Sequence, residues 1–182
     1  AENYDFQFLP EGGHIVADIK NTIGFKCIDD NGYGAAASGI LYDENNVQVA
    51  TFKSNRLGLG KFVFIPKAQQ SYTAEITSAS GKKFTKMLNA SEAQGITMML
   101  NPIGENVVAV FKTNSETLPN IKDERFKILI HKDGQLKTIG FSFGNDKNVG
   151  ITIPKKQLFK GVNTITLFNI KNQPILERLF FN

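Results

Sequence analysis

The chain has 182 residues, 41% of them hydrophobic and 21% charged, a globular mix long enough for one domain or two small ones. Its formal net charge is only +4, and Lys and Arg never occur in runs longer than two, which argues against the concentrated basic face of a nucleic-acid binder. The single cysteine, Cys27, excludes an internal disulfide, and no apolar run is long enough for a membrane-spanning helix.

Short runs of alternating polarity between turn signals predict strands along the whole chain. The first series covers residues 6–9, 22–28, 37–43, 47–53, 61–65, 72–77 and 83–88. The second covers residues 96–101, 106–113, 126–131, 136–143, 149–153, 163–168 and 176–181. The best helical candidate, residues 89–94, is only about a turn and a half long. Asp29-Asp30-Asn31-Gly32, Asp43-Glu44-Asn45-Asn46 and Lys132-Asp133-Gly134-Gln135 supply turn residues that tolerate positive φ.

The two series repeat each other. "KFVFIPKAQQSYTAEITSASGKKFTKML" lies over "VGITIPKKQLFKGVNTITLFNIKNQPILERLFF", with Pro66 matched to Pro154, Lys67 to Lys155 and Gln69 to Gln157, an offset of 88 residues. A duplicated unit of evenly spaced strands predicts two tandem seven-stranded antiparallel β-sandwiches, over residues 1–91 and 92–182. Glu177 and Arg178 interrupt the apolar closing strand. Alternation turns one of them outward, and the other is expected to snorkel, sit at an edge or pair across a contact between the two domains.

Constellations that could carry chemistry fail one by one. His14 and His131 fall in different halves, and neither has a second ligand at metal spacing; His131 opens a turn and is expected to be exposed. "DDNGYG" lacks the alternating oxygen ligands and closing Glu of a calcium loop and reads better as a turn. "RLGLGK" lacks the spacing of a phosphate-binding loop and runs into a strand. Ser38, Ser54, Ser71 and Ser142 have no glycine elbow, and Cys27 reads as a small buried residue. No catalytic, cofactor or metal site is therefore expected, and no enzymatic activity. Two features remain: a corner at Pro10, Glu11, Gly12 and Gly13, and candidate interaction loops at Asp29, Asp30, Asn31 and at Arg56, Leu57, Leu59.

On Pro10-Glu11-Gly12-Gly13, Phe25-Lys26 ahead of Asp29-Asp30-Asn31-Gly32, "VATFKS", Phe62, Phe64, Pro66, "SYTAEI" and the closing Glu177-Arg178-Leu179, the chain resembles two tandem macroglobulin-like domains. These are of the α2-macroglobulin and complement type. The resemblance is closest to bacterial α2-macroglobulins and to large Bacteroidetes envelope proteins, many of which carry the domains ahead of a TonB-receptor-like plug. It implies an immunoglobulin/fibronectin-like sandwich. It also implies that the Pro-Glu-Gly-Gly corner is structural, where the first strand bends and continues, with the glycines at positive φ and Glu11 accepting backbone N–H groups. The family's Gly-Cys-Gly-Glu-Gln thioester motif is absent from this chain.

The resemblance thus implies a non-enzymatic spacing and interaction module of a larger cell-envelope protein, periplasmic, outer-membrane-associated or on the cell surface. Its partners would be the other domains of its parent and another envelope or extracellular protein. The alternatives are a segment of a protease-trapping inhibitor without the thioester, and a carbohydrate-binding sandwich. Trp is absent and the four Tyr are dispersed, which weighs against the last. The start at Ala1, with neither initiator Met nor signal sequence, is expected of a processed form or a piece of something longer.

Overall fold

A computed structural model describes residues 3–182. Fourteen strands follow in order: β1 (Tyr4–Pro10), β2 (Asn21–Asp29), β3 (Ala37–Asp43), β4 (Gln48–Lys53), β5 (Leu59–Phe64), β6 (Tyr72–Ser78) and β7 (Lys83–Leu88), then β8 (Ile96–Ile103), β9 (Asn106–Thr113), β10 (Phe126–Lys132), β11 (Gln135–Phe141), β12 (Asn148–Pro154), β13 (Val162–Phe168) and β14 (Pro174–Phe181). All fourteen lie where alternation predicts them. Residues 89–94 are not helical. The α-helix is instead α1 (Leu118–Ile121), one turn with a proline in its first turn, where the missing N–H costs nothing.

The chain divides into two compact units. One takes the chain up to Glu11 together with Ile15–Ala93, and the other takes Gly12–His14 and Gln94–Asn182. In the first unit a three-stranded sheet, β1-β2-β5, faces a four-stranded sheet, β4-β3-β6-β7. In the second, β8-β9-β12 faces β11-β10-β13-β14. Every pairing is antiparallel. Adding seven to each strand number of the first unit gives the second, so the internal repeat is a repeat of topology.

Alternation explains which side chains fill each sandwich. In β2, Ile23, Phe25 and Cys27 point inward, and in β9, Val107, Ala109 and Phe111 do the same. The first core is aromatic: Phe25 and Phe62 each pack near Phe52, with ring centroids 4.9 and 4.9 Å away. Two strand glycines make that packing possible. A Cβ on Gly39 would sit 2.2 Å from the Phe52 ring, and one on Gly60 would sit 2.3 Å from the Phe25 ring. The second core centres on Phe111 and Phe141, 4.6 Å apart, with Phe126 and Phe143 against them. Each such ring, fully buried, contributes roughly 1.5–3 kcal/mol.

In each unit a buried asparagine fixes the loop before its strand. Asn21 Oδ1 accepts the Val16 N–H at 2.9 Å, and its Nδ2 donates to the carbonyls of Val16 and Ile19 at 2.7 and 2.8 Å. Asn163 Oδ1 accepts the Phe159 N–H at 2.8 Å, and its Nδ2 donates to Phe159 and Gly161 at 2.7 and 3.0 Å.

Three details differ from the sequence expectation. His131 is half-buried within β10, between Leu136 and Thr164, rather than exposed at a turn. β11 ends at Phe141, because Phe143 leaves the ladder to join the core. β1 does not bend and continue: it ends at Pro10, and Glu11–Gly13 form a turn in which both glycines have positive φ. Glu177 faces outward and accepts the Thr166 hydroxyl at 3.3 Å, while Arg178 is half-buried on β14, an edge strand.

Candidate functional site

One local device builds four of the turns. Asp29 Oδ1 accepts the N–H groups of Asn31 and Tyr33 at 2.9 and 3.0 Å, and Asp43 Oδ1 accepts those of Asn45 and Val47 at 2.9 and 2.9 Å. Asn55 and Asn169 repeat it on Leu57 and Leu59, and on Lys171 and Gln173. In each case the fourth residue of the turn has positive φ: Gly32, Asn46, Gly58 and Asn172. This is a side-chain-capped turn closed by a left-handed residue. The acidic oxygens that resembled calcium ligands are thus bound to backbone N–H groups. Asp30 Oδ2 likewise accepts the Asn3 N–H at 2.9 Å. Among the described residues no three His, Cys, Asp or Glu side chains cluster as metal ligands would.

Both candidate interaction loops come together at one end of the first unit. The Cys27 N–H donates to Gly58 and the Ala35 N–H donates to Cys27, both at 2.9 Å. The two turns touch so closely that a Cβ on Gly34 would lie 2.1 Å from the Leu57 carbonyl oxygen. Asp29 is half-buried, whereas Asp30, Asn31 and Arg56 are exposed. Leu57 and Leu59 are 69% and 50% exposed, and Tyr33, which sequence reasoning passed over, is 72% exposed beside them. An apolar tip edged by one carboxylate and one guanidinium suits a protein contact; it offers no nucleophile or metal ligand set.

At the other candidate, the corner, Gly12 has φ +80° and is buried, and Gly13 has φ +85°. A Cβ on Gly12 would lie 3.5 Å from the Met98 nitrogen and oxygen, whereas one on Gly13 would meet nothing within 4 Å. The corner therefore depends on glycine through its backbone conformation, not through crowding.

A further groove of ≈ 530 Å³ lies on the outer face of β3, β6 and β7, lined by Tyr42, Glu44, Thr73, Glu75 and Thr85 among others. Alternation along β3 and β6 was the signal that could have placed Tyr42, Thr73 and Glu75 on one face. Glu75 is paired there with Lys83 at 3.2 Å. Cys27 is buried, and desolvation first, then the charge of Asp5, holds its thiol above the ordinary value of 9.0. Such a thiol is a poor nucleophile. No helix among the described residues is long and apolar enough to cross a membrane.

Fold and surfaces together define a tandem of two seven-stranded antiparallel β-sandwich modules of the immunoglobulin/fibronectin-like class. Family models and curated proteins give no match to this chain. Among solved structures it is similar to a tetra-tandem repeat from the extending region of a large adhesion protein, at 12% identity and TM-score 0.35, over 98% of this chain and 47% of that one. It is similar to a two-fibronectin-type-III segment of chicken tenascin, at 13% identity and TM-score 0.31, over 95% and 99%. It is also similar to the native conformation of the E. coli α2-macroglobulin, at 8% identity and TM-score 0.34, over 98% and 16%. The chain spans about half of the adhesion repeat and a small part of the macroglobulin. At these identities and TM-scores the likenesses assign neither family nor role to this chain.

Proposed function

We propose that the chain is a non-enzymatic spacing and interaction module of a larger cell-envelope protein, and that the paired loops at Asp29–Asn31 and Arg56–Leu59 present its contact surface. The supporting observation is the use to which polar residues are put. The side chains that resembled ligands hold backbone turns, and those turns project Tyr33, Leu57 and Leu59 into solvent beside Asp30, Asn31 and Arg56. Exposed aromatic and aliphatic groups on a rigid scaffold are the usual anchors of protein contacts. The envelope assignment rests on the sequence resemblance carried by the Pro-Glu-Gly-Gly corner and the Glu-Arg closing strand.

A photo-crosslinking amino acid at Leu57 of the full-length protein, in the cell that makes it, tests both parts. The expected result is a defined adduct with one envelope or extracellular protein, recovered from the envelope fraction and absent when the probe is moved to Thr85. Recovery in the cytosolic fraction, or identical adducts from both positions, would refute it.

A further inference from the structure

The two units are copies, and their registers show which residues correspond. Phe8 of β1 stands opposite Phe25, and Met98 of β8 stands opposite Phe111. Phe25 and Phe111 hold the centres of their three-stranded sheets, so Phe8 and Met98 occupy the same place. In the closing strands, Lys86 lies opposite Ala74, which lies opposite Leu41. Arg178 lies opposite Ile165, which lies opposite Ile130. Leu41 and Ile130 are each third from the end of their strands. Lys86 therefore corresponds to Arg178, Met87 to Leu179 and Leu88 to Phe180.

That correspondence exposes a difference between the copies. In the second unit, Gly12 is buried beside β8 and β14, where a Cβ added to it would stand 3.5 Å from the Met98 backbone and 3.6 Å from the Leu176 side chain. Met98 and Leu176 are buried there. In the first unit Phe84, which corresponds to Leu176, packs against Tyr4 and Phe6, and beside it, toward the end of β7, lies an open groove of ≈ 220 Å³ lined by Gln7, Phe8, Pro10, Lys86, Met87 and Leu88. Phe8 is only half-buried where Met98 is covered, and Met87 is 66% exposed.

We infer that the β1/β7 side of the first unit is a receptor for a glycine-bearing corner from another β-sandwich module, equivalent to the one Gly12–His14 supplies to the second unit. Three features select this occupant. The groove is smaller than the roughly 300–1,000 Å³ typical of small-molecule sites, so it suits a short backbone segment. β1 and β7 are both edge strands, each with one neighbour, so backbone groups face the incoming segment. Lys86 lines the groove, and a carboxylate placed as Glu11 is, next to the glycine, complements its charge.

The test is an NMR titration of the isotope-labelled full chain with the peptide FLPEGGHIVAD, residues 8 to 18 of this sequence. The proposal expects saturable shift changes at Gln7, Phe8 and Lys86–Asn89. Lys86→Glu should weaken the peptide about threefold, the scale of one exposed ion pair, and a peptide with Lys in place of its Glu should recover the loss. Lys86 is exposed, so the variant is expected to fold, and its unperturbed spectrum checks that. No saturable change at millimolar peptide overturns the proposal. Changes confined to residues around Met98 and Leu176 overturn it too, because the peptide would then only displace the resident corner. Concentration-dependent shifts of the same residues without peptide would assign the groove to a second copy of the chain, and would also overturn it.

Discussion

Gly32 and Gly58 hold the same position in two copies of the same capped turn, with φ of +81° and +72°, yet they should respond very differently to one substitution. Asparagine already fills this position at Asn46 and Asn172, at φ of +60° and +56°. Gly32→Asn enters open space, since nothing lies within 4 Å of its Cβ. Asparagine is among the few side chains that visit the left-handed region readily, so the cost should stay below about 1 kcal/mol. At Gly58 the new Cβ would lie 2.1 Å from the Cys27 carbonyl oxygen, 2.9 Å from the Ala35 nitrogen and 3.0 Å from the Ala35 oxygen. All three are backbone atoms, which cannot rotate aside, so the loops must separate.

Separation endangers the Cys27-to-Gly58 and Ala35-to-Cys27 hydrogen bonds, each 2.9 Å. Two bonds at about 0.5–1.5 kcal/mol each, with about 1–3 kcal/mol of overpacking, give a loss of about 2–6 kcal/mol. A unit of about 90 residues has roughly 5–13 kcal/mol in total. Scanning calorimetry should show the first unit's transition at least about 8 °C lower in Gly58→Asn, and less than about 8 °C lower in Gly32→Asn, on the scale of ~4–8 °C per kcal/mol. If the two variants melt within about 2 °C of each other, the steric account of the loop pair is wrong.

Asn21→Ala strands the buried Val16 N–H and two carbonyls and should cost about 1–3 kcal/mol in urea unfolding; Asn163→Ala should cost the same in the second unit. Gly12→Ala and Gly13→Ala should each cost about 1–2 kcal/mol through strain alone, because neither Cβ meets an atom closer than 3.5 Å. Both residues group with the second unit, so calorimetry should show its transition shifted and the first unit's transition unmoved. The Cys27 thiol keeps its proton to higher pH when folded than when unfolded. Its contribution to stability is therefore intact below about pH 9 and falls as pH rises through the folded value. Cys27→Ala should flatten that alkaline decline, and native Cys27 should resist alkylation at pH 8 until denaturant is added.

Strand positions were legible because each strand of these sandwiches has one buried and one wet face, so polarity alternates residue by residue between turn residues. Turn positions were legible from Asp, Asn and Gly, but their mechanism was not. Nothing in "DDNGYG" or "RLGLGK" says that Asp29 and Asn55 make the same pair of bonds, or that the two turns meet. That meeting depends on β2 pairing with β5, a contact between residues far apart in sequence. The packing role of the strand glycines was hidden for the same reason. Nothing in the sequence places the Phe25 ring against Gly60, where an added Cβ would stand 2.3 Å from it. The helix at Leu118–Ile121 is too short to show a helical period, and its cue was Pro119 alone.

The candidate surfaces of the first unit are not duplicated in the second, because the connections between strands differ. The turn at Asp29–Tyr33 sits between β2 and β3, where the second unit instead has α1. There Thr117 donates its N–H and hydroxyl to Asn114 Oδ1 at 2.9 and 2.6 Å and accepts the Gly95 N–H at 2.9 Å, which closes that end with polar groups satisfied internally. The first unit closes the same end with two touching turns that leave Tyr33, Leu57 and Leu59 in solvent. The shared strands account for stability in both copies. The copies differ in what connects β2 to β3 and β9 to β10, in what connects β4 to β5 and β11 to β12, and in what lies on the β1/β7 side; under the function proposed above, contact specificity resides in those places because the strand framework is common to both.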